Sequence, residues 1–230
     1  MKKIAFIPAR GGSKSIPLKN IKLFCEKPLI YWNLLSLQNS MVDEIIVATD
    51  SNIIKDTVLG FSFSKVRVYS RTEENAQDTS STESVMLEYI NNGHLALDDI
   101  FILVQATSPF TQSIDFNNGI NLFLQDKADS LLTATLSKRF FWNLENKPIN
   151  YNYKARPRRQ DFNGLYMENG AFYVSTVKNI VESGNRLSGK ISIYEMPEHT
   201  SLELDEGFDW LLGEQIMYNI LQKDSKNESN

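Results

Sequence analysis

Short apolar runs alternate with stretches of helical spacing along most of this chain. Ile4, Ala5, Phe6 and Ile7 form a buried-strand run that ends at Pro8. Residues 28–40 place Leu29, Ile30, Trp32, Leu34, Leu35 and Leu37 at spacings of three and four, which predicts a helix with Pro28 in its first turn. Further strands are predicted at 44–49, 65–69, 100–104, 130–135 and 191–196, with helices at 52–59, 82–91, 114–125 and 210–221. Residues 168–174 read as another strand beside a turn at Asn169-Gly170. Strand–helix alternation of this kind predicts an α/β fold with a doubly wound, mostly parallel sheet. Ligands of such sheets sit beyond the carboxyl ends of the strands, so the loops at Arg10, Asp50, Arg71 and Gln105 should face one crevice.

One stretch departs from the alternation. Residues 136–160 are aromatic and irregular, with Phe140, Phe141, Trp142, Tyr151 and Tyr153 followed by a basic knot of Lys154, Arg156, Arg158 and Arg159. An aromatic strip beside clustered arginines suits a protein interface or the rim of a site, and a solvated basic loop is the plainer reading. Residues 1–230 are read as one domain carrying this excursion, with a polar, flexible tail at 223–230.

Composition changes the picture only by exclusion. Hydrophobic residues make up 42% and charged residues 23%, with a net charge of −4, so the chain is not read as a nucleic-acid binder. No apolar run is long enough for a membrane span, and the first one is too short for the core of a signal peptide. The single cysteine, Cys25, excludes an intrachain disulfide, fits a reducing cytoplasm and is expected to serve packing.

The candidate chemistry starts right after the first strand. Arg10, Gly11, Gly12, Ser13, Lys14, Lys19 and Asn20 put three cations and two glycines into eleven residues. Glycines let backbone N–H groups approach an anion, successive N–H groups form an anion-binding concavity, and the cations neutralise a polyphosphate. This is neither GxxxxGK[ST] nor GxGxxG, which disfavours the P-loop and dinucleotide readings. Near the other end, LELD places Glu203 and Asp205 at alternate positions of an extended segment, on one side, where two hard carboxylates suit Mg²⁺. Glu206 and Asp209 read more simply as carboxylates at a helix N-terminus. The Gln105 loop and the Arg158 knot suit a polyhydroxylated anionic acceptor. Cradle, metal pair and acceptor pocket together specify nucleotidyl transfer, in which positioned cations stabilise charge building on phosphorus.

The segments IPARGGSKSIPLKN, KPLIYW, IIVATDS, SRTEENAQDTSSTE, VQATSPF, RPRRQDFNGLYMENGAFYV and LELDEGFDW make the sequence similar, in order and over almost its whole length, to the acylneuraminate cytidylyltransferases. The resemblance implies a nucleotide-sugar-transferase fold. It also implies a homodimer, or a tetramer, in which the 136–160 excursion completes the partner's site. The implied reaction is attack by the anomeric hydroxyl of a nine-carbon 2-keto acid on the α-phosphate of CTP, with Mg²⁺ (or Mn²⁺) required and pyrophosphate released. Arg10, Ser13, Lys14, Lys19 and Asn20 match the triphosphate loop. Arg71 and Ser80 or Ser81 match positions near the cytidine. Gln105 matches the glutamine that touches the sugar, and Arg158 and Arg159, with Gln160 beside them, match the basic positions after the excursion. Asn169, in the ENGAFYV run, joins the substrate-binding set. Asp205 matches the main metal carboxylate. Glu203 stands where the family usually has aspartate; one methylene longer, it reaches a metal directly or through water. N-acetylneuraminate and 2-keto-3-deoxynononate are the expected acceptors. Legionaminate, pseudaminate and octulosonate enzymes, sugar-1-phosphate nucleotidyltransferases and an inactive nucleotide-binding scaffold are the alternatives.

Overall fold

The computed structural model describes residues 1–12, 16–77, 79–93 and 95–227. Its elements are β1 (Lys3–Pro8), β2 (Leu23–Phe24), β3 (Lys27–Pro28), α1 (Leu29–Gln38), β4 (Glu44–Thr49), α2 (Asn52–Gly60), β5 (Val66–Ser70) and α3 (Thr82–Asn92). They continue as β6 (Ile100–Val104), α4 (Ser113–Asp126), β7 (Ser130–Ser137), β8 (Leu165–Thr176), α5 (Val177–Ser183), β9 (Ile191–Met196) and α6 (Gly207–Asn227). Seven strands form one sheet in the order β5-β4-β1-β6-β8-β7-β9. Only β8 is reversed, antiparallel to both β6 and β7.

The period of two along each strand divides the core into two layers. Ala5 and Ile7 of β1 meet Ile30 and Leu34 of α1, Ile54 of α2 and Phe116 of α4 on one face. Ile4 and Phe6 meet Val85 and Met86 of α3 and Ile180 of α5 on the other. Helices therefore cover both faces, as a parallel sheet requires. Ser51 and Ser81 cap α2 and α3, their hydroxyls accepting the N–H groups of Ile54 at 3.4 Å and Ser84 at 3.0 Å.

Three of these elements have no counterpart in the periodicity: β2 and β3, two-residue strands that pair as a hairpin, and the short α5. The expected turn at Asn169-Gly170 is instead an interruption inside a longer strand. Leu132 pairs with Tyr173 and Ala134 with Glu168, so four residues of β8 stand opposite the single Thr133 of β7. Gly170 has φ +64, a left-handed conformation that only glycine takes at little cost, and this lets the strand bulge and resume. The last helix also runs past the expected 221, to Asn227.

A third, smaller core fastens the end of the chain to its beginning. Phe24, Cys25 and Leu29 pack with Phe110, Leu204, Trp210 and Met217. Trp210 Nε1 donates to Leu23 O at 3.0 Å, and Lys22 Nζ lies 4.4 Å from the centre of the Trp210 ring. Cys25 has the packing role expected of it, and burial pushes its thiol up to about 11. Leu204 is fully buried here, between the exposed Glu203 and Asp205. Leu204→Ala should lower unfolding free energy by about 2–5 kcal/mol, read by chemical denaturation.

Candidate active site

The carboxyl ends of β1, β5 and β6 open onto a cleft of about 430 Å³. Arg10, Lys19, Asn20, Arg71, Ser80, Ser81 and Gln105 all line it, so three of the four loops expected from strand order share one crevice, while Asp50, after β4, does not line it. Thr82 and Val85 continue its wall along the first turn of α3. Ser81, the N-cap, thus brings a helix N-terminus to the cleft, where free N–H groups and the helix dipole favour an anion.

Local hydrogen bonds explain how each group is held. Asn20 Nδ2 donates to Arg10 O at 3.1 Å, closing the cradle on itself. The Gly11 N–H points at Asp50 Oδ1, 3.0 Å away, and Gly11 and Gly12 sit outside the cleft lining. Ser13 and Lys14 lie outside the described residues. Arg71 Nε donates to Ala48 O at 3.0 Å; burial pushes the pKa of its guanidinium down from its ordinary value, while Asp50 and Glu88 act the other way. Glu88 gathers the loop between β5 and α3, accepting from Tyr69 Oη at 2.7 Å, the Thr72 N–H at 2.9 Å, Thr72 Oγ1 at 2.9 Å and Asn75 Nδ2 at 2.5 Å. Burial raises its pKa, but these hydrogen bonds outweigh burial and hold it below the usual 4.5.

A second cavity of about 290 Å³ adjoins the first, and Gln105 and Thr107 line both. Asn169, Gly170, Glu203 and Asp205 complete it, with Ser108, Glu168 and Tyr173. Lys19 joins the two cavities. It is 7% exposed, and its Nζ donates to Leu204 O at 2.9 Å and to Asp205 Oδ1 at 2.8 Å. Leu202, Glu203, Leu204 and Asp205 all border this cavity; the Leu204 side chain packs into the third core, while Glu203 and Asp205 are exposed. Asp209 fits the helix N-terminus reading, its Oδ2 accepting from the Glu206 N–H at 2.8 Å and the Asp205 N–H at 3.3 Å.

A family model described as cytidylyltransferase matches residues 4–211. The chain belongs to the cytidylyltransferase family. It is 34% identical over 219 residues to N-acylneuraminate cytidylyltransferase A of Danio rerio, covering 92% of this chain and 50% of that one. It is 28% identical over 229 residues to the pseudaminic acid cytidylyltransferase of Campylobacter jejuni, covering 96% and 97%. The chain thus spans about half the length of the Danio rerio relative. A solved structure of CMP:2-keto-3-deoxy-manno-octonic acid synthetase complexed with CTP shares the fold, with a TM-score of 0.67, 18% identity and coverage of 95% and 99%.

Not every predicted site residue of this family member reaches the two cavities. Arg158, Arg159 and Gln160 are exposed on the long connection between β7 and β8 and line neither one. That connection packs on itself: Phe140 stacks near Tyr151 and Phe162, with ring centres 4.2 and 4.9 Å away, and Arg156 Cζ lies 4.6 Å from the Phe140 ring centre. Asn169 lines the second cavity, but its Nδ2 donates to Thr200 Oγ1 at 2.9 Å and braces the bulge. Glu168, Tyr173, Thr107 and Ser108 were missed as site residues. Gln105 marked the last two as loop neighbours, whereas a regular strand would have sent Glu168 and Tyr173 to opposite faces.

Two outcomes are expected. A methyl group on Gly170 would lie 3.3 Å from the Gln105 amide at a positive φ, so Gly170→Ala should destabilise by about 1–2 kcal/mol and shift Gln105, read by melting and by ligand titration. Because the folded pKa of Glu88 is depressed, its stabilisation is present above 4.5 and lost as pH falls through the folded value. The stability gap between wild type and Glu88→Gln should therefore narrow on acidification below pH 4.5, measured by denaturation at a series of pH values.

Proposed function

We propose that the chain transfers the cytidylyl group of CTP to the anomeric hydroxyl of a sialic-type 2-keto sugar acid, releasing pyrophosphate. The observation that carries this reading is Lys19, which lines the cradle cleft and holds Asp205 at the edge of the second cavity at 2.8 Å. CTP lies along the first cleft, with its base toward Arg71, Ser80 and Ser81 and its phosphates toward Arg10 and Lys19. The acid occupies the second cavity, where Gln105 touches both substrates. Arg10 and Lys19 counter the charge that builds on the phosphoryl oxygens, and the two adjoining walls hold the attacking hydroxyl against phosphorus.

Glu203 and Asp205 are the residues that would hold Mg²⁺. Both are hard oxygen donors on one wall, and among the described residues no cluster of three or more His, Cys, Asp or Glu forms a full cage. A two-carboxylate set fits an ion that completes its shell with water and substrate phosphates. When bound, the ion would supply Lewis-acid stabilisation of the phosphoryl charge.

The curated relatives that support the reading act on N-acylneuraminate and pseudaminic acid, and N-acetylneuraminate or 2-keto-3-deoxynononate is the acceptor we favour. Arg158, Arg159 and Gln160 would act on a partner's acceptor cavity in a homodimer joined through the aromatic connection. A cytoplasmic setting supplies both substrates.

Pyrophosphate release from CTP and Mg²⁺ should be seen with at least one of N-acetylneuraminate, 2-keto-3-deoxynononate, legionaminate or pseudaminate; silence with all four would end this reading. In the same assay Arg10→Ala should lose about 10²-fold in kcat, and Asp205→Asn should both slow turnover and raise the Mg²⁺ needed.

A further inference from the structure

The bulge in β8 performs a task beyond bending the strand. Glu168 and Tyr173 are an odd number of positions apart, so a regular strand would point them to opposite faces. The extra residues opposite Thr133 reverse that parity and bring both side chains to the acceptor cavity. There the Tyr173 phenol donates a hydrogen bond to Glu168 Oε1. Tyr173 itself is 4% exposed and fixed from behind: Arg186 Cζ lies 5.0 Å from its ring centre, and Arg186 Nε donates to Glu83 Oε1 at 2.6 Å. Glu83 lies in the first turn of α3, the helix whose N-terminus walls the nucleotide cleft.

The three carboxylates around this cavity therefore differ in kind. Asp205 is paired with Lys19, and Glu203 stands beside it on the same segment. Glu168 comes from the sheet, with one oxygen anchored by the Tyr173 phenol. Such a carboxylate keeps an oxygen with which to take a proton.

We propose that Glu168 is the proton acceptor for the attacking hydroxyl, with Tyr173 as its positioning residue; this rests on the cytidylyl-transfer reading. The acceptor oxygen forms a bond to the α-phosphorus of CTP. The bond from that phosphorus to the bridging oxygen breaks, and pyrophosphate leaves with the electron pair. The hydroxyl proton passes to the free Glu168 oxygen.

The test measures kcat, KM for the acid and CTP affinity by calorimetry in wild type, Glu168→Gln, Glu168→Asp and Tyr173→Phe. Glu168→Gln should lose about 10²-fold or more in kcat with CTP affinity unchanged. Glu168→Asp, which keeps a carboxylate, should recover part of that loss. Tyr173→Phe should lower kcat by less than Glu168→Gln while leaving CTP affinity intact. Wild-type kcat in Glu168→Gln, or a raised KM for the acid with kcat intact, overturns the proposal and leaves cytidylyl transfer standing. Failure of the wild type to turn over any of the acids overturns both.

Discussion

A lysine ammonium buried at the junction of two cavities is the constraint to which the rest of this structure answers. Lys19 is almost without solvent, so its charge needs compensation from the protein. That compensation comes from Leu204 O and Asp205, 185 and 186 residues away in the chain. Removing Asp205 leaves the Lys19 charge short of a partner in a poorly solvated place, whereas Asp205 itself is exposed. The pair ties the first loop of the fold to the last one and puts the cradle and the acidic segment on a common wall. Leu18, which precedes the lysine, takes a left-handed φ of 50, so the turn that presents Lys19 is itself held in a conformation unusual for leucine.

Much of what steadies this contact lies in the third core. The β2–β3 hairpin, Phe110 and α6 enclose Leu204, and Gly213 leaves room for it: a methyl group there would come within 2.8 Å of Leu204 Cδ2. The acidic segment is thereby pinned through Leu204, with Leu202 packed against the same core, while its carboxylates line the cavity. The third core is small, but it sets the position of the groups nearest the chemistry.

The connection between β7 and β8 obeys a different logic. Its aromatic rings stack on one another, while Trp142, Leu144, Ile149 and Tyr153 remain exposed. Apolar side chains left exposed in such density set this connection apart from an ordinary polar loop tip. The basic residues at its end share that placement, which is why the same chain's cavities lack them.

Local sequence pattern determined a great deal here. The runs at Glu44–Thr49, Ile100–Val104 and Ile191–Met196 are strands at the expected bounds, because period and β-branched composition act over a few residues. Arg10, Lys19, Asn20, Gln105, Glu203 and Asp205 were legible as residues that line a cavity, whereas Gly11 and Gly12 of the same loop do not line one. Only the tertiary structure decided the remainder. The β8 bulge depends on pairing with a strand some 30 residues earlier, so nothing local announced that Glu168 and Tyr173 share a face. The Lys19–Asp205 pair, the third core and the absence of Arg158 and Arg159 from their own chain's cavities follow from contacts between distant segments. Period and composition reveal which face of an element is apolar, whereas the partner that covers that face is chosen by the fold as a whole.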